Sequence, residues 1–412
     1  MTVMTAWIRP IRRGWIVRAE VPGPDVDEFA DAYRVSTALA RPGAARGTLL
    51  AVQHPHRTPA ALAEEATVLD ALPGARRALR DLERAAYQPV ADVVAPYRVD
   101  GPDGSATGVL CLVDVAAVGA DGLSWVRHSE QVYPEVVAER AAVLTGLGCA
   151  TSAALLVPVA GGELLTATVD QAITAAGAPV VSTVDSSGRR HRMWLLGPGP
   201  IREAVLGVVA AQPLMVADGN HRVAAAAAAD LGGLLALVTA GPGLRVGPYH
   251  RVLTGTGLDA DALAAAWRGI GLTVHDAPAA GLPGTAAPVA WAGGSSGNHG
   301  APAPTEPGTV VVRTATRDLV VELPDAPPLT IDHAVVETLL LHDALGLDPE
   351  GPHVRTLPEG RDPGPDVDAV LLLAPVPLAD VQAVHAAGGR MPRKSTYFTP
   401  KPRSGLLLAD LD

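Results

Sequence analysis

The chain has 412 residues, of which 48% are hydrophobic and 18% charged. That length holds two or three domains of roughly 100–200 residues each, and the composition excludes a disordered chain. A net charge of −11 with 3% aromatics argues against nucleic acid as a partner, since counterion release and base stacking need a basic field and aromatic platforms. Cys111 and Cys149 lack CxxC spacing and read as structural thiols in a reducing cytosol. No signal peptide stands at the N-terminus and no apolar run is long enough for a membrane span, so a cytoplasmic protein is expected. Glycine (43) and proline (37) are frequent, which favours many tight connections over long helices. Lys394 and Lys401 are the only lysines among 32 basic residues.

In chain order, Thr48 to Gln53 (TLLAVQ) reads as a buried strand leading to the loop His54-Pro55-His56-Arg57. Pro59 to Tyr87 reads as a helical hairpin broken at Leu72-Pro73-Gly74. Gly108 to Ala116 is β-rich, and Trp125 to His128 ends another strand. Pro134 to Leu147 has helical spacing with proline in the first turn. Short strands and helices alternate through 153–159, 192–196 and 201–211. Leu214 to Ala217 is a compact apolar strand, followed by Asp218-Gly219-Asn220-His221-Arg222 and an alanine-rich helix to Asp230. A strand at 234–239 and a helix at 259–269 complete an α/β pattern. The stretch 278–307 is dense in Gly, Pro, Ser and Ala and reads as a flexible insertion. Two strands (309–313, 318–323), a helix (331–345), a strand (369–374) and a helix (378–387) follow.

Asp218–Arg222 is the most informative stretch. A strand-to-helix turn presents free backbone N–H groups and partial positive charge, which favours an anion such as phosphate. Arg222 adds a bidentate donor and His221 a tunable one. Asp218 has three readings: helix cap, metal ligand, or acceptor of a substrate proton. The plain alternative is that Asp218 and Asn220 cap the helix while Arg222 pairs on the surface. A second stretch, Arg390 to Gly405, gathers both lysines with Ser395 and Thr396, a composition suited to a polyanionic ligand. Its Lys-Ser-Thr lacks the glycines of a P-loop. Arg127-His128-Ser129-Glu130 offers Glu130 as general base or metal ligand, or as a surface carboxylate. Gly247 to Arg251 supplies His250 and Arg251, which complete an anion pocket or brace a loop. His333 and His342 lie on helical stretches without metal-ligand spacing and read as structural. Gly293 to Gly297 matches GxSxG by letter but has no strand–helix frame for a nucleophile elbow.

Three stretches carry a family resemblance: VADGNHRVAAA at 216–226, GPYHRV at 247–252 and MPRKSTYFTPKPRSGL at 391–406, preceded by VRHSE at 126–130. They resemble the ADGHHRYxTA, LPTHRV and MPxKSTYFxPKxxSGL motifs of a bacterial and archaeal family of unknown function. That family is related to the SerK and SbnI free serine kinases and shares their ParB/sulfiredoxin-like nucleotide-binding motif. The sequence departs from the pattern at Asn220, where the family has a histidine. It also lacks the PPYDV-like segment, of which 23–35 is a remnant, and a lysine near Val136 and Val137.

The resemblance implies an α/β fold of mixed sheets: an N-terminal α/β region at 1–107, a ParB/sulfiredoxin-like nucleotide-binding core at 108–256, and a C-terminal α/β region at 257–412 that ends in the KST motif. It implies a kinase that phosphorylates the hydroxyl of free serine or a similar small amino acid, using ATP or ADP and Mg²⁺. Gly219, Asn220, His221, Arg222, His250, Arg251, Lys394, Ser395 and Thr396 would then hold the nucleotide. Asp218, Glu130 and His221 would be catalytic, with Asp218 and Glu130 as metal ligands. A phosphomonoester phosphatase and a non-catalytic nucleotide-binding regulator remain open, as does the oligomeric state, a homodimer included.

Overall fold

The computed structural model describes residues 7–29, 32–241, 243–277 and 306–411; nearly all of the insertion expected at 278–307 lies outside them. The chain is a mixed α/β protein with several sheets. It divides into two compact units, one formed by Met1–Arg245 with Phe398–Asp412, the other by Val246–Tyr397.

In the first unit, the main sheet runs in the order Val126–Arg127, Leu214–Asp218, Ala154–Pro158, Leu234–Ala240, Gly104–Val113, Ala95–Gly101, Arg190–Met193, Val181–Val184. The central strands Ala154–Pro158 and Leu234–Ala240 are buried at every position. Such strands read as short continuous apolar runs rather than alternating ones. Gly162–Ala176 and Pro200–Ala210 contribute Leu165, Val169, Val205 and Val209 to the core against them. A four-stranded sheet, Tyr87–Val93, Ile11–Val17, Leu407–Asp410, Cys149–Ala150, ties the two chain ends together. Both cysteines are free and buried, and burial pushes the Cys111 thiol up to about 12.

Two directions in the main sheet decide where the site falls. Leu214–Asp218 runs parallel to Val126–Arg127 and antiparallel to Ala154–Pro158. The residues that follow the first two strands, and those that precede the third, therefore lie at one end of the sheet. The pairing register with Ala154–Pro158 shifts between Val216 and Asp218, at the strand's exit.

The second unit is built on a sheet in the order Thr273–Asp276, Asp318–Glu322, Thr309–Thr314, Ala369–Leu372, Arg245–Leu253, Val354–Pro358. Its core holds Trp267, Leu253, Val312, Leu340 and Leu371. The helix expected at 331–345 starts as Asp332–Val335 and continues as a π-helix, Val336–Asp343.

Two segments differ from the sequence expectation. TLLAVQ is helical at Leu49–Gln53, because Thr48 accepts the Ala51 N–H as an N-cap. The break between the next two helices falls at 64–67, not at Pro73. Thr67 and Asp70 form a capping box that starts Val68–Ala86, and Pro73 lies within that helix. Among the described residues no helix is long and apolar enough to cross a membrane.

Candidate functional site

The Leu214–Asp218 strand ends at Gly219, which has φ 91° and leads directly into the Asn220–Ala228 helix. Only glycine adopts that left-handed conformation without strain, and a Cβ here would lie 2.8 Å from Arg222 Nε. The turn thus puts Asp218 at the strand exit and Arg222 one helical turn further on. Arg222 Nη2 donates to Asp218 Oδ2 at 2.7 Å, and Arg222 Nη1 donates to Ser152 Oγ at 2.7 Å. The other carboxylate oxygen, Oδ1, accepts from Lys401 Nζ, also at 2.7 Å. The Lys401 side chain is 11% exposed and that of Asp218 24%.

Lys401 reaches this position because the C-terminal segment is pinned on both sides of it. Thr399 Oγ1 donates to the Asp103 carbonyl. The Ser404 N–H and the Arg403 guanidinium engage Asp25, and the Gly405 N–H donates to the Thr151 carbonyl. The 401–405 segment and the start of the Ala154–Pro158 strand therefore converge on the same turn. Lys401 was not among the site residues expected from the sequence. The signal that could have found it is its status as one of only two lysines in the chain.

Asn220 is 8% exposed, and its amide is used structurally. Its Oδ1 accepts from His128 Nδ1 at 3.1 Å, its Nδ2 donates to Ser129 Oγ, and Ser129 Oγ donates to the Val216 carbonyl at 2.6 Å. This network fastens the segment after Val126–Arg127, and with it the start of Glu130, to the turn. His221 stacks on Tyr133, with ring centroids 5.7 Å apart and planes within 9°. Its Nε2 accepts the Tyr133 N–H at 3.0 Å, which leaves Nδ1 as the protonated nitrogen of a neutral ring.

The remaining expected residues belong to the second unit. Arg251 is 1% exposed, on the Arg245–Leu253 strand. Its guanidinium donates to Glu337 Oε1 and to the carbonyls of Tyr249, His250, Arg393 and Lys394. It therefore braces the backbone at Lys394, where φ is +52°. Lys394 Nζ stands 5.4 Å from the Tyr249 ring centroid, a cation–π distance. Ser395 Oγ donates to the Pro392 carbonyl, and Thr396 begins a buried strand, Thr396–Thr399. His250 is buried, with Nδ1 accepting the Leu373 N–H. Burial, then Arg251 and Arg313, lower its pKa to about 4. His333 is fully buried and its Nε2 contacts the Tyr249 carbonyl.

The first unit's turn has the donor set of an anion site: a helix N-terminus, Arg222 and Lys401. For Mg²⁺ the fit is poor. Both Asp218 oxygens are bonded to cations, and among the described residues no three His, Cys, Asp or Glu side chains cluster to hold a metal.

The fold is mixed α/β, with a strand–turn–helix at 214–228 that gathers Asp218, Arg222 and Lys401. A family described as "protein of unknown function (DUF1015)" matches residues 88–279, a span that includes the turn. No curated protein matches the sequence. Similar solved structures include a free serine kinase variant in complex with ADP, at 12% identity and TM-score 0.35, covering 68% of this chain and 89% of that one. SbnI with a C-terminal truncation, from Staphylococcus aureus, has 11% identity and TM-score 0.37, covering 73% and 87%. A conserved hypothetical protein from Pyrococcus furiosus has 13% identity and TM-score 0.34, covering 68% and 92%.

Proposed function

We propose that the chain is a nucleotide-dependent phosphotransferase acting on the hydroxyl of free serine or a similar small amino acid. The observation that carries this reading is the Asp218 carboxylate, held between Arg222 and Lys401 at the N-terminus of the Asn220–Ala228 helix. The motif resemblance at 216–226 and 391–406 supports it. Phosphoryl transfer asks a protein mainly to position its reactants and neutralise charge, and two cations beside a helix N-terminus supply both. A bound nucleotide would supply the phosphoryl group. In this reading Arg222 and the backbone N–H groups after Gly219 bind its phosphates, and Lys401 adds a point charge at the same place. Asp218 holds both cations in register before the anion arrives. Because each of its oxygens already accepts from a cation, it is a weak base, and Glu130 takes the proton of the attacking hydroxyl. His221 stays neutral against Tyr133 and fixes the direction of the helix. Arg251 works behind the Lys394-Ser395-Thr396 loop by ordering its backbone.

The test is direct. Incubation with L-serine, ATP or ADP, and Mg²⁺ should yield phosphoserine, detected by ³¹P NMR. Lys401→Met and Arg222→Gln should lose it. No phosphorylated product across an amino-acid panel would overturn the reading, and inorganic phosphate released from phosphoserine without nucleotide would select a phosphatase.

A further inference from the structure

The cationic surface around Asp218 extends beyond the residues used above. The Leu49–Gln53 helix, which the 3-10 turn Pro55–Arg57 follows, ends beside the hydroxyl that neighbours the Arg222 partner: Gln53 Nε2 donates to Thr151 Oγ1 at 3.1 Å, and Arg222 donates to Ser152 Oγ. In the Pro134–Leu147 helix, Arg140 is seven residues beyond Tyr133, which stacks on His221. That spacing returns to the same helix face two turns on, and this helix packs on Asn220–Ala228.

Asp218 is shared by Arg222 and Lys401, and Asp25 pairs with Arg403. Arg57 and Arg140, by contrast, have no carboxylate within ion-pair distance among the described residues. Arg57 Nε donates instead to a neutral acceptor, His56 Nε2, at 3.1 Å. The proton of that imidazole then lies on Nδ1, which is buried and has no acceptor among the described residues. In a chain of net charge −11, this is a local surplus of cations beside an orphaned buried donor. An arriving anion would satisfy both.

The electrostatics agree with the geometry. His54 is pushed down to about 3 by burial first, then by Arg140, His56 and Arg57. His56 is lowered by burial and Arg57, and Arg140 by burial and then Arg222. The three elements share one positive field, and Glu139 opposes it at His56 and Arg140.

We propose that Arg57 and Arg140, with His56, form a second anion-binding element beside Arg222 that receives the carboxylate of the acceptor amino acid or a further nucleotide phosphate. The inference deepens the phosphotransferase reading and rests on it for the identity of the two ligands. The shared chemistry is a small oxyanion, and the element gives the site two separate anion seats, as a reaction joining an amino acid to a phosphoryl donor needs.

The experiment is calorimetric titration of the wild type, R57Q, R140Q and R222Q with pyrophosphate, ADP, L-serine and ethanolamine, which is serine without its carboxylate. The unliganded melting temperature of each is measured alongside. Each of R57Q and R140Q should weaken one anionic ligand by about tenfold, the loss of one charge-assisted hydrogen bond. Their unliganded melting temperatures should match or exceed the wild type, because each removes a like-charge neighbour. Weakened L-serine with unchanged pyrophosphate, and no ethanolamine binding, assigns the carboxylate. The converse assigns a phosphate. Unchanged affinity for every anion, no anion binding by the wild type, or a drop of several degrees in the unliganded variants overturns the inference. If R222Q abolishes ADP binding while R57Q and R140Q bind ADP, pyrophosphate and L-serine as the wild type does, the second seat fails while the phosphotransferase reading stands. If pyrophosphate binding needs Arg57 and Arg140 but no phosphoserine forms, the reaction fails while the seat stands.

Discussion

Lys401→Met is the sharpest perturbation of the Asp218 centre. The Lys401 Nζ to Asp218 Oδ1 bond is 2.7 Å long, and the two side chains are only 11% and 24% exposed. A hydrogen bond between charged groups in such a setting is worth about 1.5–3 kcal/mol. Asp218 keeps Arg222 as a partner, so the variant leaves no unpaired charge, and the loss belongs at the lower end, about 1.5–2 kcal/mol. At roughly 2–4 °C per kcal/mol, the melting temperature falls by about 3–8 °C. Asp218→Asn should cost more, about 2–3 kcal/mol, because two cations then face each other without a carboxylate. Urea unfolding followed by tryptophan fluorescence in a Trp267→Phe background reads this unit, since Trp7 and Trp125 stack within it at 5.1 Å while Trp267 lies in the other unit's core. The double variant should fall short of the sum of the singles by about 1–2 kcal/mol. Lys401→Arg tests shape as well as charge: the second carboxylate oxygen already takes Arg222, so a planar fork cannot pair bidentately there and should restore the wild-type midpoint only in part. Additivity within about 0.5 kcal/mol would refute the pairing.

Three further outcomes are expected. His54, His250 and His333 are held at about 3, 4 and 3, chiefly by burial, while the unfolded chain titrates near 6.5. Between those values the unfolded chain binds protons the fold refuses, so stability is full above about pH 6.5 and falls with acidification. Each histidine costs about 2 kcal/mol by pH 5, and urea midpoints for wild type against His54→Gln should show a shallower fall in the variant. Gly219→Ala places a β-carbon at φ 91° and 2.8 Å from Arg222 Nε. It should lose about 1–2 kcal/mol to backbone strain and weaken phosphate binding in a titration, and an unchanged midpoint would contradict the turn. Arg251→Lys should destabilise the chain by about 1.5–3 kcal/mol, because the Glu337 carboxylate and four carbonyls lose a buried planar donor while the charge is kept. Thermal unfolding reads that loss.

The elements around the site were legible because the sequence punctuates them. Leu214–Asp218 is bounded by Pro213 and Gly219, and Pro134 sits in the first turn of its helix. TLLAVQ misled because Leu49 to Val52 are all buried, and a short run without an exposed face has no periodicity to separate helix from strand. Pro73 misled for the opposite reason. It punctuates the sequence, but the Thr67–Asp70 capping box fixes the helix start and Val68–Ala86 tolerates the proline six residues in.

The site itself was legible only in part, and the reason is topological. Local pattern singled out the turn at 218–222, but which distant cation reaches Asp218 depends on strand directions that no local pattern reveals. The 391–406 stretch looks like one motif, yet the division between units falls at Tyr397 and Phe398. Lys394 thus belongs to the unit in which Arg251 orders its backbone, and Lys401 to the unit that carries Asp218. Pairing of Leu407–Asp410 with Ile11–Val17 and Cys149–Ala150 is what draws the last segment back to the 214–222 turn. The lysine that composition singled out earliest therefore acquires its partner from the chain's two ends meeting in one sheet. A rare residue type marked the position, and tertiary pairing supplied its chemistry.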